Sequence, residues 1–268
     1  MNTERLKKQW NVILGLLITA ISFALLVYGY SSKVESGVTA KDTTIIYGLI
    51  ALTIGAILIV TGFYRSTKKT EEIKISQTDR VITITQAALL AALCYIGFQY
   101  FKIPIPVGTE KTALHIGNTF CVLAALLLGG LWGGLAGSIG MTIADLTSDY
   151  VTSAPKTLIL KLCIGLIVGF VAHKVFHISK EHNKKKILRI AILSSTCGMA
   201  FNVIADPLVG YFYKRYVLNI PADVASVWAK IGASTTFVNA IAAVIVAVIL
   251  YMALRPALLS SNLLRRID

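Results

Sequence analysis

Residues 129–146 read "GGLWGGLAGSIGMTIADL", and the way this stretch is divided decides the fold. It closes an apolar run from Ala113 to Leu146 that is too long for one upright membrane helix and rather short for two. Cutting at Gly129-Gly130 gives spans at 113–128 and 131–146, each about 24 Å long at the helical rise. Helices that short are tolerated beside a cavity or a locally thinned bilayer. The stretch holds six glycines, and each costs about 1 kcal/mol of helix propensity against alanine. Gly129, Gly133 and Gly137 recur every four residues, and Gly140 continues the stripe. Gly130 and Gly134 form an adjacent row. Small residues four apart let helix backbones approach closely in lipid. Gly165 and Gly169 repeat the spacing further on. The expectation is tight packing between helices, with a sliding helix or close ligand approach as the alternative.

The rest of the chain agrees with a membrane setting. Of 268 residues, 56% are hydrophobic and 15% charged, with a mean hydropathy of +0.73. A soluble domain carries far more charge, so the chain reads as an all-α, polytopic membrane protein. Spans are expected at 10–30, 44–64, 81–101, 113–128, 131–146, 155–177, 187–213 and 229–255. Basic residues cluster at the N-terminus (Arg5, Lys7, Lys8), in 65–80, in 173–189 and at Arg265-Arg266. Eight spans put all of these on one side, the cytoplasmic one by the positive-inside rule, together with both termini. The net charge of +13 is thereby explained without nucleic acid. The loop 214–228 is mildly basic on the other side and fits least well. The first run is long and leads into further spans, unlike a cleaved signal peptide. Three segments follow: a two-span hairpin over 1–64, a polar linker over 65–80, and a six-span domain over 81–268.

Unusual polar residues gather at the outer ends of the six spans. His115 and Asn118 open one span, and Asp145 closes the next, followed by Asp149 and Tyr150. "SAPKTLILK" then starts a helix with Ser153 as a candidate cap and Pro155 in its first turn. Lys156 stands at the positive end of that helix dipole, and Lys161 lies deeper. Asn202 and Asp206 share a face ahead of Pro207, while Thr236 and Asn239 occupy the last span. The inner halves are nearly all apolar. A polar outer half above an apolar inner half describes a pocket open on one side. Ionisable residues at membrane depth are functional candidates; the competing reading is a structural network pairing Lys161 with Asp206 or Asp145.

Other signals are weaker. His173 and His177 have metal-ligand spacing but read as a solvated cytoplasmic face. No metal site, cofactor or disulfide framework is expected from Cys94, Cys121, Cys163 and Cys197, which fall in separate runs. Tyr211, Phe212, Tyr213, Tyr216 and Trp228 read as an interface belt or as a stacking platform. No catalytic motif or phosphate-binding loop occurs, so an enzyme is not expected.

The stretch "LHIGNTFCVLAALLLGGLWGGLAGSIGMTIADLTSDYVTSAPKTLILK", Leu114 to Lys161, resembles the substrate-binding S components of energy-coupling-factor (ECF) transporters. The resemblance covers about 81–255, a six-helix S-component-like bundle, preceded here by the two-helix N-terminal hairpin that the family pattern lacks. It implies capture of a vitamin or related micronutrient at the outer face of the plasma membrane, and delivery through a transmembrane coupling subunit powered by two partner ATPases. His115, Asn118, Asp145, Lys156, Lys161, Asn202, Asp206 and Asn239 are the candidate substrate-binding set. The family docks through an Ala-xxx-Ala pattern on its first helix, for which "QAALLAAL" offers Ala87 with Ala91 and Ala88 with Ala92. A pyridoxine-like compound, a pyrimidine vitamin precursor or riboflavin suits the polar lining. The alternative is a self-contained ion-coupled carrier with Asp145 or Asp206 as its proton site.

Overall fold

The computed structural model describes residues 77–108, 110–261 and 263–264, so the expected spans at 10–30 and 44–64 and most of the linker lie outside the described residues. Helix α1 (Gln77–Gln99) leads into a short antiparallel hairpin, β1 (Ile103–Val107) and β2 (Glu110–Leu114). Helices α2 (Gly117–Leu146), α3 (Ala154–Gly169), α4 (Lys184–Phe212) and α5 (Ala222–Ser260) follow. Among the described residues, five helical runs are long and apolar enough to cross a membrane.

One of those runs is two passes. Within α2, Gly129 has φ 79° and ψ 177°, a left-handed, non-helical conformation that glycine alone adopts cheaply. The two limbs fold back on each other there. A side chain at Gly133 would strike the Ala125 and Ala124 backbone, and one at Gly137 would meet Cys121 Sγ at 3.0 Å. Positions equidistant from Gly129 therefore face each other, which is the signature of an antiparallel helical hairpin. The bundle is thus six-helical, as its composition suggests.

The two glycine rows serve two different partners. Gly133 and Gly137 press on the first limb, whereas Gly130 faces Gly169 and Gly134 faces Gly165 across the α2–α3 contact. Gly140, one turn on, abuts the Ala91 backbone and lies 2.9 Å from Cys94 Cβ through the position its own Cβ would take. Close backbone approach on three sides offsets the propensity cost of the glycines. The packing expectation accounts for five of the six glycines, and Gly129 is the turn.

Several boundaries differ from the sequence reading. The span expected from residue 113 begins at Gly117, because Thr112, Ala113 and Leu114 pair with Ile105, Pro104 and Ile103 in the β-hairpin. Helix α5 starts at Ala222 rather than 229, and α1 starts inside the segment read as a linker. Ser153 makes no side-chain cap bond to α3, although Pro155 does sit in its first turn. His173 is not on a solvated face. It is buried, with Nδ1 3.0 Å from Ser179 Oγ and Nε2 3.0 Å from the Leu126 carbonyl. It ties the end of α3 to the first limb of α2, while His177 stays exposed in a left-handed turn.

The candidate substrate cavity

All eight candidate residues line one cavity of about 130 Å³, measured as room for the centres of water molecules. It lies at the end of the bundle that carries the β-hairpin. The second limb of α2 brings Asp145, the start of α3 brings Lys156, Thr157 and Lys161, and the late turns of α4 bring Asn202 and Asp206. Helix α5 closes the remaining side with Thr236 and Asn239.

These residues do different work. Asp206 Oδ1 accepts from Lys156 Nζ at 2.8 Å and Oδ2 accepts from Thr236 Oγ1 at 2.9 Å, joining α3, α4 and α5. Both carboxylate oxygens are thereby occupied. Asn239 is also committed. Its Oδ1 accepts from the His115 amide at 3.0 Å and its Nδ2 donates to the Ala113 carbonyl at 2.9 Å, so it clamps the root of the β-hairpin to α5. The Gly117 amide donates to His115 Nδ1 at 3.2 Å, which leaves the ring proton on Nε2 in the neutral form. Burial, then the Lys161 charge, lowers the His115 pKa to about 3, so its ring is neutral at physiological pH.

The floor is the opposite. Asn202 is buried with both Oδ1 and Nδ2 unpartnered, and Asn118 Oδ1 and Asp145 Oδ2 are likewise buried without a partner. Lys161 is 7% exposed, and the ion pair anticipated for it with Asp206 or Asp145 is not formed. The pair belongs to Lys156 instead, because Lys156 reaches across from the first turn of α3. Buried polar atoms cost about 1–3 kcal/mol each when unsatisfied. Four such side-chain atoms, on Asn118, Asp145 and Asn202, belong to residues that line this one hollow.

The wall contains residues the sequence reading passed over. Phe98 packs edge-on to His115 with centroids 4.8 Å apart and to Tyr150 at 5.4 Å. Lys111 enters the lining from β2, and its Nζ pairs with Asp149 at 2.7 Å. Lys214 Nζ lies 4.5 Å above the Trp228 ring at the mouth. Lys111 gave no signal because the β-hairpin itself was unforeseen. Trp228 was visible as part of an aromatic group, and it enters the cavity lining. Among the described residues, no group of three metal-ligating side chains converges.

Residues 77–256 match the family model described as the ECF-type riboflavin transporter, S component. The chain belongs to that family. It is accordingly a membrane-embedded, substrate-binding S component of an ECF transporter and not an enzyme. No curated protein matches the chain. A solved structure described as the S-component for biotin from an ECF-type ABC transporter is similar over 68% of this chain and 95% of that one, at 21% identity and a TM-score of 0.48. The S-component family expected from the sequence is the one that the match over residues 77–256 shows.

The four alanines expected at a docking face separate into two kinds. Ala87 is buried, and Ala91 is half-buried against Gly140, whereas Ala88 and Ala92 are exposed. All four line an apolar groove of about 590 Å³ between α1 and the second limb of α2, together with Trp132 and Ile139.

Proposed function

We propose that this S component captures riboflavin or a closely related flavin in the cavity and passes it to a coupling subunit driven by two ATPases. The observation that carries the reading is the floor. Asn202 offers a donor and an acceptor side by side, Asn118 and Asp145 offer acceptors, and Lys161 offers a donor. The dione ring of a flavin presents carbonyl acceptors on either side of an N–H donor, which this set can satisfy at once. Phe98, Tyr150 and Trp228 supply aromatic surface for the fused rings. The description of the matching family supports the same substrate.

The cavity end faces outward in this reading, because Lys174, Lys180, Lys184, Lys185, Lys186 and Arg189 lie at or beyond the far end of α3 and at the start of α4. Both chain termini are then cytoplasmic. Docking falls to Ala88 and Ala92, which are free to meet another helix, while Ala87 and Ala91 hold α1 to α2. The test is flavin uptake into proteoliposomes. Uptake should require the coupling subunit, both ATPases and ATP. Uptake by the chain alone along an ion gradient would favour the self-contained carrier.

A further inference from the structure

His115 stands between the end of β2 and the start of α2, and its backbone and its ring are held separately. Asn239 Oδ1 accepts from the backbone amide at 3.0 Å, so that clamp does not depend on the side chain. The ring is fixed by two other contacts. The Gly117 amide donates to Nδ1 at 3.2 Å, and the Phe98 ring packs edge-on with centroids 4.8 Å apart. His115 enters the cavity lining, and its Nε2 has no hydrogen-bond partner among the described residues. A neutral imidazole that accepts at Nδ1 carries its proton on Nε2. The start of α2 thus sets the tautomer and leaves Nε2 as a donor.

The environment also keeps that donor uncharged. Burial and then the Lys161 charge oppose a second proton on the ring, and the Asp206 charge favours one too weakly to offset them. Asp206 is in any case engaged by Lys156 and Thr236. The two donors that His115 and Lys161 bring to the lining therefore differ in kind. An ammonium group rotates three donors towards whichever acceptor is near. A fixed imidazole has one N–H in one direction. It rewards an acceptor at one place on a ligand and rejects a ligand with a hydrogen there, because its own N–H is then left unpaired.

Resting on the flavin reading above, we infer that His115 is a specificity-determining residue, which donates from Nε2 to an unsubstituted ring nitrogen of the flavin. An oxidised flavin has two such nitrogens, one beside each carbonyl of its dione ring. Both lie next to the edge that the floor takes up, and both have a lone pair in the plane of the rings. Replacing the bonded nitrogen by C–H removes the acceptor and changes little else in the ligand's shape.

The test is a calorimetric titration of the full chain, purified and freed of ligand, with riboflavin, 1-deazariboflavin and 5-deazariboflavin. Each analogue carries C–H in place of one of the two nitrogens. One of them should bind the wild-type chain about tenfold more weakly than riboflavin. Two variants then divide the ring. The amide nitrogen of glutamine stands where Nε2 stood and keeps a donor. The amide oxygen of asparagine stands where Nδ1 stood, so it keeps the Gly117 bond and loses the donor. His115→Gln should retain the preference for riboflavin over that analogue. His115→Asn should bring the ratio of the two affinities to about one, with its melting temperature unchanged. Equal binding of all three ligands by the wild-type chain overturns the inference and leaves the flavin reading standing. A preference that persists undiminished in His115→Asn does the same. A ratio that falls as far in His115→Gln as in His115→Asn also overturns it, since packing against Phe98 would then set the preference. Binding of none of the three overturns the flavin reading as well.

Discussion

The cavity at the hairpin end and the groove between α1 and α2 are both hollow, yet one is lined by charges and amides and the other by methyl groups and rings. The cavity holds buried side-chain atoms with no hydrogen-bond partner in the protein. The groove has almost nothing polar to satisfy, so shape and small side chains decide what lies against it. Their positions also differ. The cavity draws on every element from β2 to α5, whereas the groove needs only two neighbouring helices. If the cavity takes the ligand and the groove takes a partner helix, as proposed, mutation should separate the two.

The largest expected change in free energy follows from Lys156→Met. It leaves Asp206, whose side chain is 21% exposed, beside Thr236 without its cation and should destabilise the protein by about 3 kcal/mol. Thermal unfolding in detergent measures this, and Lys156→Met/Asp206→Leu should recover most of the loss. Lys161→Met should leave the fold intact but weaken flavin binding by about 1–3 kcal/mol, since it removes a charge-assisted donor. Asn202→Leu sharpens the distinction. It should raise the melting temperature of the ligand-free protein by removing two orphan polar atoms, while lowering affinity. A drop in both would make Asn202 structural.

The groove should respond in the opposite sense. Ala88→Trp/Ala92→Trp should abolish uptake with partners present and shift ligand affinity by less than about 0.5 kcal/mol, as expected for an exposed face distant from the site. Ala87→Trp/Ala91→Trp should instead fail to fold, because those positions press on α2. The smaller effects concern protons. His115 is held well below its ordinary value, to about 3, chiefly by burial. The unfolded chain therefore binds the extra proton first, so His115 contributes full stability above about pH 6.5 and loses it as pH falls towards 3. His115→Gln should flatten the acid side of the stability profile between about pH 6.5 and about 3. Asp149→Asn should have the smallest effect on melting, because the carboxylate it removes is exposed.

Much of this was readable in the residues. The cut at Gly129-Gly130 fell where the backbone turns, because repeated glycine in an overlong apolar run has few other uses. Polar residues at membrane depth marked the cavity wall, because lipid permits them only when they face something. The β-hairpin was not readable. Ile103-Pro104-Ile105-Pro106 holds two prolines, which argue against a strand except at an edge, and a two-stranded ribbon is all edge. Nor could spacing show which lysine takes Asp206. Lys156 and Lys161 lie on the same helix, and only the crossing of α3 and α4 selects between them. Asn239 was found as a member of the cavity, but its partners, Ala113 on β2 and His115 just after it, are placed by the unforeseen hairpin.

The most direct measurement is titration of riboflavin onto the purified chain in lipid nanodiscs, wild type beside Lys161→Met/Asn202→Leu. Saturable one-site binding by the wild type, lost in the double variant while its melting transition is retained, is the predicted result. Absence of binding to the wild type, or undiminished binding in the folded double variant, would contradict the assignment of the cavity as the capture site.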